Sequence, residues 1–377
     1  MLQQMILNSM VNTRIMNFND KSILYSNPFI QNFSKEWILN VETRMAIEKV
    51  DEFLFPATLN DKEYSSSYVC SPYNALITYS KDELFKINNR LLRFCLKILI
   101  NSIGGLLKLG KVNKNYVVNN FLLSTNPYPN WQGDGVNDLL KRVIAKHSQH
   151  AIMCRSLNEY SNKNLIERLK KEGFILAASR QVYIFDSKLH DFINRNNTQN
   201  DRRAFAKSDY ELVPHEQINE SDYPDILKLY NLLYLEKYSQ HNPQFSLKLI
   251  AYWHQNRILT MMGLRDKEGV LQGIVGIFES EQVITAPLVG YNTNLSKNKS
   301  LYRILIYLVL DYSHKKNCCL NLSSGASQFK LLRGGQPFIE YTAAYIKHLP
   351  LYRRIIWRAI QFLLNRIFVP LLKRYQL

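Results

Sequence analysis

Lys330 and Arg333 lie three residues apart, just after a stretch with almost no side chains: Ser324, Gly325, Ala326 and Ser327. Residues three apart share one face of a helix, so the two cations would act together on a phosphate or a substrate carboxylate. A strand that runs into a bare turn and then a helix start turns backbone N–H groups outward, where they bind an anion or an oxyanion. Upstream, Asn321 and Ser323 share one strand face beside that turn and could donate to substrate. Downstream, Glu340 alternates with Phe338, Thr342, Ala344 and Ile346 on an otherwise almost apolar strand face. A desolvated carboxylate there would have a raised pKa and could shuttle protons near neutrality. The competing expectation is that Glu340 pairs with Lys330 or Arg333. Tyr341 and Tyr345 take the opposite face. Arg155, Asn158 and Arg180, far back in the sequence, could line a groove between two units or form ion pairs that lock them.

The elements that must hold these groups follow from periodicity. Residues 318–323 alternate as a strand, and 327–332 form a short basic helix with Ser327 as the expected N-cap. Gly334 and Gly335 stop the helix, and Pro337 opens the next strand. Ahead of this stretch the pattern predicts a strand at 210–213 and helices at 223–238 and 246–256. Strands at 258–264, 270–279 and 283–291 follow as an antiparallel meander, then a long helix at 300–316. An earlier unit shows strands at 115–124, 151–155 and 177–186 separated by helices at 137–146 and 163–172, which is an α/β layered order. The expected domains are a leader of uncertain order (1–45), a first unit (46–190), a polar linker (191–208), a second, catalytic unit (209–348) and a basic tail helix (349–377).

Composition narrows the classes. The chain has 377 residues, 46% of them hydrophobic, which suits two domains of ordinary size. Five cysteines with no CxxC argue against a disulfide framework and a zinc site, and favour a reducing compartment. Metal is not expected. Residues 1–18 hold no long apolar run, so neither a signal peptide nor an anchor is expected there. The motifs of hydrolases, metalloproteases, kinases and dinucleotide-binding enzymes are missing from the sequence. The net charge is +17, and residues 85–116 and 341–377 each carry seven cations and no acid. Such fields attract polyanions: phosphorylated cofactors, acidic carrier proteins, RNA or anionic lipid. In the tail, Arg354, Arg358, Gln361 and Asn365 form one polar stripe on an otherwise apolar helix. That suits either the interface of an anionic membrane or packing on the first unit.

The order of the second unit resembles the GNAT acyltransferase superfamily. The stretch SSGASQFKLLRGG (323–335), with FLLSTNPYPNW (121–131), CRSLN (154–158), SRQVY (179–183) and KYSQHNPQFS (237–246), is similar to a BioF2-like or Fem-like subgroup with two tandem GNAT-like domains. The resemblance implies two mixed, mostly antiparallel sheets flanked by helices. It implies strands at 283–291 and 318–323 that splay apart, with the acyl donor in the resulting V. Leu288, Val289, Gly290 and Tyr291 would pair with the donor's pantetheine. The loop at 295–300, with Lys297, Lys299 and Ser300, would hold its phosphates, joined by Asn321, Ser323, Ser324 and Arg333. That loop lacks the glycines usual in the superfamily. Tyr234, Lys237, Tyr238 and Asn242 would contact the acceptor. Glu340, Tyr341 and Lys330 would carry the proton transfers. The implied reaction is acyl transfer from acyl-CoA or an acyl carrier protein to a small-molecule or lipid-linked amine, in the cytoplasm or at the inner membrane face. The alternatives are a transferase using aminoacyl-tRNA, or a non-catalytic lipid- or carrier-binding module.

Overall fold

Among the described residues, eleven strands build one continuous sheet. The computed structural model describes residues 16–78, 81, 84, 89–281, 283–296, 300–370 and 372. The strands are β1 (Arg44–Val50), β2 (Phe53–Asn60), β3 (Asn115–Val118), β4 (Ala151–Asn158), β5 (Ile175–Phe185), β6 (Glu211–Val213), β7 (Thr260–Arg265), β8 (Leu271–Ser280), β9 (Val283–Tyr291), β10 (Cys319–Asn321) and β11 (Gln336–Tyr345). Their order is β1-β2-β3-β4-β11-β5-β10-β9-β8-β7-β6.

The sheet repeats one motif. β1, β2 and β3 pair antiparallel, a helix at Val136–Lys146 follows, and β4 returns parallel to β3. In the second half β7, β8 and β9 pair antiparallel, a helix at Leu301–Lys316 follows, and β10 returns parallel to β9. Each connection from the third strand to the fourth crosses over through a helix, as a parallel pair requires. The chain therefore has a mixed α/β, tandem GNAT-like fold, on its own topology.

Three expectations need revising. The supposed leader contains a helix at Phe18–Gln31 whose Phe18, Tyr25 and Phe29 lie in the main core. Its inward face also carries Lys21, Ser22 and Ser26, so hydrophobic spacing alone hid it. The supposed linker folds as a helix at Asn196–Ala206 with Asp201 fully buried. The strand β11, expected in the second unit, inserts between β4 and β5 of the first. The tail's polar stripe meets the first half: Asn365 accepts from Ala178 N at 2.9 Å and donates to Leu176 O at 2.8 Å, docking the tail on β5. The other tail expectation, packing on the first unit, describes that contact.

Among the described residues, three buried cores lie against the sheet. In the second half the helix at Leu301–Lys316 is apolar nearly all round and buried, so its residues pack against β8, β9 and β10. Gly290 is required where β9 meets the helix at Tyr223–Asn231: a Cβ there would sit 2.6 Å from the backbone of Leu229 and Tyr230.

Candidate functional site

Within the sheet, the two halves join through the three residues of β10. Cys319–Asn321 pair with Val283–Thr285 on one side, and Leu320 and Asn321 pair with β5 on the other. Beyond Asn321 the chain stays with β5: Leu322 N donates to Tyr183 O at 3.0 Å, and Tyr183 N to Ser323 O at 3.1 Å. β9 runs on to Tyr291 with β8 alone. The strands thus part into a V whose floor is the bare turn after β10. Ser323 and Ala326 take left-handed backbone conformations there, at φ 59° and 47°, which non-glycine residues adopt only under constraint.

Lys330 supplies that constraint. Its side chain is buried, and Nζ donates to the carbonyls of Leu322, Ser324 and Ser323 at 2.7, 2.9 and 3.3 Å. It lies 5.5 Å from the centre of the Tyr183 ring. Burial, with the Arg180 guanidinium nearby, pushes its pKa down to about 7. A fork of Arg180 faces Glu340: Nε donates to Oε1 at 2.8 Å and Nη2 to Oε2 at 3.3 Å. Ser179 Oγ adds 3.3 Å to Oε1, and Arg180 also reaches Thr125 Oγ1 at 3.1 Å. Arg155, half-buried, donates to Asn120 Oδ1 at 3.3 Å and to Val69 O, and burial lowers its pKa. Tyr68 sits in the field of Arg180, Arg155 and Glu340, its phenol pushed up by burial.

On the far wall of the V, a cleft of about 570 Å³ opens between the end of β9, the loop after it and the start of the helix at Leu301–Lys316. Lys237, Tyr291, Ser300, Tyr302 and Arg303 line it. Lys237 Nζ donates to Tyr291 OH at 3.0 Å, a bond that raises the lysine's pKa. Tyr302 packs against Tyr291 and Phe329, with ring centres 5.9 and 4.9 Å apart, so the cleft is joined to the short helix that carries Lys330.

Several expected residues hold the scaffold instead. Arg333 stacks at 3.3 Å over the Phe329 ring and clamps Asp201, Nη2 to Oδ1 at 3.0 Å, where Arg303 also donates at 2.6 Å. Its guanidinium is taken up by the Asp201 carboxylate and the Phe329 carbonyl. Glu340 pairs with Arg180 rather than Lys330 or Arg333, because β11 lies beside β5. Asn158 caps a turn, accepting from Tyr160 N and Ser161 N. Asn242 ties its own loop, donating to Tyr234 O and Ser239 O at 2.9 and 3.1 Å. Asn321 accepts from Ser323 N at 2.9 Å and shapes the turn. Tyr341 packs on the main core, with burial raising its pKa. Leu288 and Val289 bury their side chains, so only the backbone edge of β9 faces the V. Tyr234 stacks on Tyr230 at 4.9 Å, and Tyr238 lies beside it at 6.2 Å. Lys297 and Lys299 lie outside the described residues.

Sequence reasoning missed Tyr68, Tyr183, Asp201 and Tyr302, and gave Arg180 no firm role. Arg180 carried a signal, as the lone charge in the strand AASRQVYIF. Among the described residues, no three His, Cys, Asp or Glu side chains are grouped to hold a metal ion.

No family model matches the chain, and no curated protein matches it. Among solved structures, FemX aligns over 91% of this chain and 99% of its own, at 10% identity and a TM-score of 0.49. L-PGS from Bacillus licheniformis aligns over 60% and 77%, at 12% identity and 0.44. A tandem GNAT protein from the clavulanic acid biosynthesis pathway aligns over 61% and 75%, at 11% identity and 0.37. At these values the likenesses carry no weight for the chemistry.

Proposed function

We propose that the chain is an acyltransferase moving an acyl group from an activated donor to an amine. One observation carries this reading: a buried lysine sits at the floor of a V between two strands, next to a second cation and with no carboxylate in contact. Such an ammonium is suited to a developing oxyanion. In the step, the amine nitrogen attacks the acyl carbon and the bond to the donor's sulfur or oxygen breaks. The amine's proton ends on that leaving atom. Lys330 would meet the tetrahedral oxyanion by giving up its longest bond, 3.3 Å to Ser323 O, an oxygen that already accepts from Tyr183 N. The Arg180–Glu340 pair, with Arg155, would hold positive potential beside it.

The tyrosine wall and Lys237 favour a donor that ends in adenine and phosphate. Flat rings stack on bases of any carrier. Acyl-CoA and the 3′ end of an aminoacyl-tRNA share that chemistry, and the charge of +17 suits the second as well. A carrier protein would offer no base to stack.

The test is thermal melting with acetyl-CoA and, separately, with an adenosine aminoacyl-ester analogue. One of the two should raise the melting temperature, and Tyr302→Ala should shrink that rise. If neither donor shifts it, the transferase reading fails. If one binds but no amine is ever acylated, the fold serves as a binding module.

A further inference from the structure

We propose that two helices packed on the first half of the sheet form one docking surface for an anionic lipid bilayer. They are Arg90–Leu109 and Leu351–Leu363. Ile100, Ile103 and Leu107 of the first and Ile356, Trp357 and Ile360 of the second share one core with Val117, Met153 and Ala344 of the sheet. Both helices therefore cover the same sheet face, and their opposite sides look away from it together. They meet where Arg353, fully buried, donates to Gly110 O at 2.9 Å and to Lys111 O at 3.1 Å.

The outward sides are apolar. On the first helix Leu91 is 73% exposed, Phe94 61% and Leu109 62%, with Ile98, Leu99 and Leu106 also exposed. At 100° per residue these six fall within an arc of about 140°. Arg90 and Lys97 lie on the strip beside it, exposed. On the second helix Leu351 is 63% exposed and Phe362 60%, with Tyr352 and Ile355 between them and the exposed Arg358 alongside. Helices so divided bury their apolar side at the boundary of headgroups and acyl chains. Among the described residues, no helix is long and apolar enough to cross a membrane.

Charge selects the occupant. The two helices belong to segments that carry fourteen cations and no acid. A second copy seated on this face would set cations against cations. A bilayer with anionic headgroups offers phosphates to the flanks and hydrocarbon to the centre.

Flotation of the full chain with vesicles tests this without any turnover. Binding to vesicles containing phosphatidylglycerol should exceed binding to pure phosphatidylcholine by about tenfold or more, and should fall with salt. Ile98→Asp and Phe362→Asp should each cut it by about tenfold, and Arg358→Glu by less, with melting temperatures unchanged because these side chains are exposed. Equal weak binding to both vesicles, or none, overturns the proposal. So does a concentration-dependent dimer that the same aspartate variants disperse, which would give the surface to a second copy.

Discussion

Two lysines are buried to the same degree in this protein, and their surroundings differ. Lys21, on the helix packed against β1 and β2, reaches across to β8 and donates to Glu279 O at 2.6 Å. The Glu279 carboxylate lies close enough to oppose the effect of burial, and Lys21 settles at about 8. That carboxylate is tied in turn by Tyr312 OH at 2.7 Å and Thr260 Oγ1 at 3.1 Å. Lys330 has carbonyls and a neighbouring guanidinium, and is pushed lower, to about 7. The first site neutralises its charge locally. The second holds a buried cation on carbonyl oxygens at the floor of the V, the kind of tension found where chemistry is done.

Substitutions should separate the two. Lys330→Met should cut acyl transfer at least about 100-fold, and Lys330→Arg should not restore it, since the turn offers three carbonyls to a compact donor. Retained transfer in Lys330→Met would remove the lysine from the mechanism. Lys21→Met should leave transfer intact and cost about 2–4 kcal/mol in denaturant unfolding, because it strands the Glu279 carboxylate. A loss of transfer without a loss of stability would make the two lysines alike.

The pH dependence sharpens the contrast. Both lysines are held below the ordinary 10.5, so the unfolded chain binds more protons in the interval. Their contribution is complete above 10.5 and is lost as pH falls, down to about 7 for Lys330 and about 8 for Lys21. Lys330→Met should flatten the rise in stability between those limits over the wider window, and Lys21→Met over the narrower one. If Lys330 acts as the ammonium, transfer should fall as pH rises through about 7. The smallest effect is expected from His215. Burial and the neighbouring His254 lower it to about 4, and its Nδ1 accepts from Met261 N at 3.1 Å. Its contribution is present above 6.5 and lost towards 4, and His215→Gln should remove that part of the acid transition.

Much of the frame was legible in the sequence. The strand at 283–291, the long helix after it and the antiparallel meander follow from period and turn residues, since those signals are local. The buried charges were not. Asp201 sits in a polar stretch and is explained only by Arg303 and Arg333, roughly a hundred residues on or more. Arg180 and Glu340 each stand as a lone charge in a strand, but nothing local says that the strands are neighbours. Lys21 hid the helix at Phe18–Gln31 for the same reason.

The placement of β11 has a consequence for how the chain reaches this structure. During synthesis, β4 and β5 emerge early, yet the strand that lies between them, Gln336–Tyr345, emerges last of the eleven. Until then the facing edges of β4 and β5 lack their shared partner, and β5 has only the short β10 beside it. The nascent protein cannot finish its N-terminal half and move on, as chains of independent domains do. The first half must wait for a segment made after the strands of the second, and a ribosome stalled before residue 336 would hold a chain with an open seam.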